Sequence, residues 1–206
     1  MLQKRHSCVA YECARKHLIV AIGTECYVTL PKGQIIPTQS AADKVVVPGG
    51  GNVLIVPITH YPTYTTIPPD LAEPIFDETT KWVHSRPRSA LVANVKTFYR
   101  LKAALRAMYA KHGSSIVFFE VGRISGKGGH AHVQAVPIPM KLIDKVEETF
   151  VSQGRMQGID FEDDAGAALD ACAGGRGGYF KVDLPDGKTL VHLMKDHVPF
   201  SINFGR

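Results

Sequence analysis

Apolar residues recur along this chain at two spacings, and the two rarely overlap. Residues 17–30 read His17-Leu-Ile-Val-Ala-Ile-Gly-Thr-Glu-Cys-Tyr-Val-Thr-Leu30, which predicts two β-rich stretches broken near Gly23 and Thr24. Pro31-Lys32-Gly33 closes the second. Residues 37–51 are polar and then glycine-rich, the composition of a loop. Asn52-Val-Leu-Ile-Val-Pro57 follows as a short unbroken apolar run, the pattern of a buried strand. At His60-Tyr61-Pro62 the chain must leave the sheet.

Helical spacing comes next. Pro68-Pro69-Asp70 is a plausible helix start. Phe98, Leu101, Leu105 and Met108 recur every three or four positions and predict a longer helix over 88–111, ended by Gly113. Ser115-Ile-Val-Phe-Phe-Glu120 returns to strand character, and a glycine-rich bend then runs from Gly122 to Gly129. His130 to Val136 alternates and reads as another strand, stopped by Pro137 and Pro139. The texture changes at Met140. Lys141 to Gln153 is helical, residues 158–178 are acidic and then glycine-rich, and Tyr179–Leu184 pairs with Thr189–Leu193 around Pro185-Asp186-Gly187-Lys188. The expected class is α+β, an antiparallel sheet with flanking helices over residues 1–140 and a smaller α+β segment with a hairpin over 141–206.

Composition narrows this picture modestly. The 206 residues are 45% hydrophobic and 21% charged, enough to build a core and too mixed for wholesale disorder. A formal charge of +5 permits a polyanionic partner without requiring one. No apolar run approaches the roughly 20 residues of a membrane span, and Met1-Leu-Gln-Lys-Arg-His-Ser7 lacks the apolar core of a secretory signal. The four cysteines, Cys8, Cys13, Cys26 and Cys172, are too scattered for a disulfide framework and point to a reducing compartment.

The sharpest chemical feature is His130-Ala131-His132-Val133-Gln134. On a strand, residues two apart share a face, so two imidazoles and a carboxamide would stand in a row. Imidazole can attack phosphorus or shuttle a proton, and the glutamine can donate to a phosphate oxygen. Before it, Gly126-Lys127-Gly128-Gly129 would let backbone N–H groups approach an anion, with Lys127 as counter-charge. The plain alternative is two histidines alternating on a solvated strand, and the glycines alone miss the phosphate-loop spacing. Lys96, Arg100 and Lys111 could contact an RNA backbone or simply be a solvated helix face. Tyr61, Tyr64 and Phe119 could stack on an unpaired base, although Phe119 fits a core position better. No spacing singles out Glu120 or Asp183, and Cys26 and Cys172 read as structural.

The His-x-His-x-Gln strand resembles the active-site strand of the histidine-triad (HIT) superfamily, in its nucleotidyltransferase branch. More closely, Lys16-His17-Leu18-Ile19-Val20, Val53–Tyr61, Val117–Glu120, His130–Gln134 and Tyr179-Phe180 through His192 to Phe204-Gly205-Arg206 resemble the CwfJ-type C-terminal family. The resemblance implies a HIT-like antiparallel sheet, and it assigns roles by position. His132 matches a nucleophilic histidine, Gln134 a phosphate holder, and His130 a histidine that can ligate zinc. His60 matches a phosphate or metal position. A zinc ion would take Cys8, His60 and His130. Arg5 stands where relatives have the first cysteine of a pair, with Cys13 or His6 as replacements, and Asn52 stands where histidine-triad relatives have histidine.

Members of the CwfJ-type family are nuclear, associate with the spliceosome and the lariat-debranching enzyme, and usually carry this region behind a phosphoesterase-like domain. The resemblance therefore implies a splicing-associated factor whose phosphate pocket binds the branch of an intron lariat and supports debranching and intron turnover. Two other roles stay open. One is a nucleotidyl hydrolase or transferase working through a nucleotidyl-His132 intermediate; the other is a protein-docking role for residues 141–206.

Overall fold

The computed structural model describes residues 16–23, 25–36, 47–68, 97–123, 129–195 and 198–205. Its frame is a seven-stranded sheet in the order β1-β2-β3-β5-β4-β6-β7. The strands are β1 (Ile19–Ile22), β2 (Cys26–Thr29), β3 (Val53–Pro57), β4 (Ser114–Gly122), β5 (Val133–Pro139), β6 (Tyr179–Asp183) and β7 (Thr189–Leu193). Every neighbouring pair is antiparallel. The paired stretches over 17–30, the apolar run at 53–57 and the C-terminal hairpin all form strands, as their patterns predict. The helices are α1 (Thr97–Lys111), α2 (Val146–Met156) and α3 (Ala165–Ala171), with short 3-10 turns between.

β4 sits between β5 and β6, so its alternate residues feed two different cores. Ile116 and Phe118 pack with Val53, Ile55, Val133, Ala135 and with Leu105 and Tyr109 of α1. Val117 and Phe119 join Val146, Phe180, Val182, Leu184 and Phe204 on the opposite face. That second core is aromatic: the Phe180 ring lies 5.1 Å from Phe204, 5.7 Å from Phe200 and 6.1 Å from Phe119, centroid to centroid. Offset and edge-on contacts of this kind add to the area buried.

Two elements depart from the spacing-based expectation. Residues 88–96 and the side chains of Phe98 and Leu101 lie outside the described residues, as does the helix expected from Pro69. In the described part of α1 the buried positions are Leu105 and Tyr109, while Met108 is 39% exposed. Tyr109 wins the inward place because its hydroxyl donates to the Gly51 carbonyl, satisfying the polar end of a large buried ring. Gly113, at φ 63°, ends the helix in the left-handed conformation that glycine tolerates.

The second departure is β5, which begins at Val133 rather than His130 and runs through both prolines to Pro139. Its pairing with β3 sets Ile55 against Val133, and continuing that register would set Ala131 against Pro57, which has no N–H to donate. Ala131 donates instead to Tyr61 O at 2.7 Å. At the other end β3 pairs only as far as Ala135, so Pro137 and Pro139 keep their partners on β4 while no ladder on the β3 side needs their missing N–H.

Phe180 is fully buried at the centre of the aromatic core. Phe180→Ala is expected to destabilise the fold by about 3–5 kcal/mol, read as a shift in the chemical-denaturation midpoint. A change below about 1 kcal/mol would mean this core does not hold the sheet.

Candidate functional site

Two segments meet where the β3–β5 ladder ends, one leaving β3 and one entering β5. After Pro57 the chain is pinned by Ile58, whose N–H donates to Glu25 O at 2.7 Å. It then exposes Thr59 and His60 before Tyr61 accepts from Ala131. This brings the His60 ring to 4.6 Å from the His130 ring, centroid to centroid, tilted by 57°. His130 Nε2 donates to Pro57 O at 3.0 Å, the carbonyl left open where the ladder stops. Partial burial is the main cause of a lowered His130 pKa. The neighbouring His60 and His132 push the same way, against the carbonyls of Pro57 and Thr59.

His132 shows the most informative contact. Its Nδ1 lies 2.9 Å from His130 O. A carbonyl can only accept, so Nδ1 carries a proton, and in the neutral ring Nε2 holds the lone pair. A half-buried imidazole with its tautomer fixed this way presents a defined base or nucleophile. Gln134, two residues on, is buried against β4 and β3, where it faces Phe119 and Leu54 in register. Its Oε1 has no hydrogen-bond partner. Burying an unmatched amide oxygen costs about 1–3 kcal/mol, a cost that a donor ligand would offset.

The predicted site residues therefore divide. His60, His130 and His132 come together at one edge, and Gln134 continues the same alternation into the sheet. Gly129 lies beside them, but a Cβ there would meet Arg123 O at 3.7 Å and Pro62 O at 3.9 Å, ordinary contacts, so space does not require glycine. Lys127, Gly128 and Cys8 lie outside the described residues. Among the described residues no group of three His, Cys, Asp or Glu side chains could hold a metal ion. His60 and His130 would supply two of the four ligands of a tetrahedral zinc, and His130 turns Nε2 to a carbonyl. By themselves these residues do not form a zinc site. Tyr64 and Phe119 are buried in the cores and unavailable for stacking on a base. Cys26 and Cys172 are buried thiols, in line with a structural role.

Sequence spacing gave Glu120 no special weight, yet the structure does. It is the ionisable residue of β4, buried within the apolar stretch Ile116–Val121. Tyr179 Oη donates to Glu120 Oε1 at 2.6 Å, and Tyr64 N–H reaches the same oxygen at 3.3 Å. Burial pushes the Glu120 carboxyl up to about 7, despite opposing pulls from Tyr179, Lys181 and the Tyr64 N–H. Burial also lowers the Lys181 pKa, but Asp183, 3.3 Å away, and Glu120 outweigh it and leave it raised. An acid at an inward position of a two-faced apolar strand was the signal available in the sequence.

Asn52 is fully buried, and neither Oδ1 nor Nδ2 has a hydrogen-bond partner.

The folded carboxyl of Glu120 holds its proton up to about 7, well above its ordinary 4.5. Between those values the native state binds more protons than the unfolded chain, so stability falls as pH rises through the window. Denaturation at a series of pH values is expected to show a loss on the order of 3 kcal/mol, absent in Glu120→Gln. Equal slopes for the two proteins would rule out a buried, titrating Glu120.

Comparison with known proteins gives a consistent result. Residues 1–151 match the family described as proteins similar to the CwfJ C-terminal region. The chain is 30% identical over 199 residues to the CWF19-like protein mug161 of Schizosaccharomyces pombe, covering 97% of this chain and 30% of that protein. It is 30% identical over 202 residues to CWF19-like protein 1 of Xenopus laevis and 28% identical to its human counterpart, again covering 97% of this chain and 30% of each relative. It is 25% identical to the zinc finger CCCH domain-containing protein 59 of rice, covering 97% of this chain and 28% of that protein. The chain thus spans about a third of the length of these relatives.

Proposed function

The chain belongs to the family of proteins similar to CwfJ in their C-terminal region, and from that premise we propose that it is a splicing-associated factor with a HIT-like phosphate pocket. The pocket binds the branch of an intron lariat and supports its debranching. The protein acts in the nucleus, with the spliceosome and the lariat-debranching enzyme as partners. Residues 141–206, the second segment of the unit, offer the docking surface.

One observation carries this reading: the hydrogen bond from His132 Nδ1 to His130 O, which presents His132 Nε2 beside the His60–His130 pair. A branch point is dense in phosphate and carries an unusual 2′ linkage, so it suits a site built from imidazoles and an amide rather than from a deep base pocket. His132, with its ring protonated, donates Nε2–H and Gln134 its amide N–H to phosphate oxygens, with His130 and His60 beside them at the rim. Lys127, Gly128 and Gly129 supply the counter-charge and backbone donors.

The same tautomer favours a second, catalytic reading. His132 Nε2 would attack the α-phosphorus of a nucleotide. The new P–N bond forms as the bond to the leaving oxygen breaks, and that oxygen departs with the electron pair and picks up a proton from solvent. Water then cleaves the P–N bond and returns free imidazole. Asn52, in place of histidine, weighs toward binding without turnover. A covalent nucleotidyl adduct that disappears in His132→Ala would establish the catalytic reading.

The deciding experiment compares a short branched RNA with its linear counterpart at fixed salt. The wild type is expected to prefer the branch, and His132→Ala to weaken branched-RNA binding by about tenfold, roughly 1.4 kcal/mol. Equal and salt-sensitive binding to both RNAs, untouched by the substitution, would leave only general attraction to a basic protein and end the lariat reading.

A further inference from the structure

We propose that Glu120 and Tyr179 are positioning residues of the histidine site: a carboxyl group on β4 and a phenol on β6 hold the turn that carries His60 against His130. The inference deepens the phosphate-pocket reading, although the positioning itself can be measured without RNA.

The turn from Ile58 to Ile67 has no strand partner and is tied down at separate points. Ile58 N–H donates to Glu25 O, and Tyr61 O accepts from Ala131 N–H, each at 2.7 Å. Beyond His60 the tie is Glu120, whose Oε1 accepts the Tyr64 N–H at 3.3 Å. Tyr64 Oη in turn donates to Ile55 O at 3.4 Å, which ties the far end of the turn back to β3. A carboxyl oxygen this deeply buried needs a further donor, and Tyr179 Oη provides one at 2.6 Å.

Tyr179 can reach it only because its register partner is Gly122, where any Cβ would overlap the phenol ring. Thr65 also hydrogen-bonds to Tyr179, through both its backbone and its side chain. Just before β6, the 3-10 turn Ala173–Gly175 packs on Tyr64–Thr66. The C-terminal segment therefore grips the His60 turn through one phenol, one carboxyl group and one packed turn. Besides Tyr179 and the Tyr64 N–H, the groups facing Glu120 are Lys181 and Asp183 of β6. Arg106 of α1 interacts with Asp183 in turn.

A plain core pair would stabilise the fold without setting the relation between the two histidines. NMR of the full chain separates the roles, with the His60–His130 ring NOE and the pH titration of both imidazoles as readouts. In Tyr179→Phe the NOE is expected to be lost and the His130 midpoint to rise toward an ordinary imidazole value of about 6.5. Glu120→Ala is expected to do the same. Glu120→Gln, which keeps an acceptor for Tyr64 N–H, is expected to restore both readouts. Val182→Ala, in the core on the other face, is the control: it lowers the melting temperature and leaves NOE and titration unchanged. An unchanged NOE and His130 midpoint in Tyr179→Phe would overturn the proposal, as would their loss in Val182→Ala. Intact histidine geometry in a wild type that ignores branched RNA would instead count against the lariat reading alone.

Discussion

The central constraint is the double burial of β4. Nine residues, Ser114 to Gly122, lie between β5 and β6, and their side chains alternate between a core roofed by α1 and an aromatic core built around Phe180. A strand buried on both faces tolerates little that is polar, and an ionisable group on it needs hydrogen-bond partners. Glu120 meets that demand through Tyr179 of the C-terminal hairpin and the N–H of Tyr64. The same strand therefore sets the order of the sheet and fixes where the His60 turn lies.

The histidine edge follows from a proline. Pro57 cannot donate, so the β3–β5 ladder stops before Ala131, and the carbonyls and N–H groups left over find local partners. Pro57 O takes His130 Nε2, and Tyr61 O takes Ala131 N–H. Had the ladder continued, His130 and His132 would sit on a regular strand, with their rings directed by the pleat. Where it ends, His132 folds its Nδ1 onto the preceding carbonyl and acquires a single tautomer. The chemistry available to the site is a by-product of how a β ladder terminates.

Several buried polar atoms of this frame lack partners. Gln134 Oε1 and both polar atoms of Asn52 are buried without partners, at or just before strands that pair with each other. Buried amides of this kind are costly in an idle scaffold, and they are the kind of feature that persists where a polar ligand or ordered water completes the site. Gln134 lies two residues from His132, whereas Asn52 stands just before β3, at its far end from Pro57.

The sequence by itself determined the strands at 19–22, 26–29, 53–57 and 179–193, because period-two burial and hairpin turn residues act within a few positions of each other. It also marked His130, His132 and Gln134, since a two-residue repeat of imidazole and amide is visible in any alignment of side chains along a strand. Tertiary structure alone decided the rest. That His60 meets His130 depends on a crossover between β3 and β5, strands whose paired residues lie about 80 positions apart in the chain. That Met108 yields the inward place to Tyr109 depends on a carbonyl at Gly51. That Glu120 matters at all depends on a glycine–tyrosine register between β4 and β6. Local periodicity fixes which face a residue takes; only long-range pairing fixes what it faces.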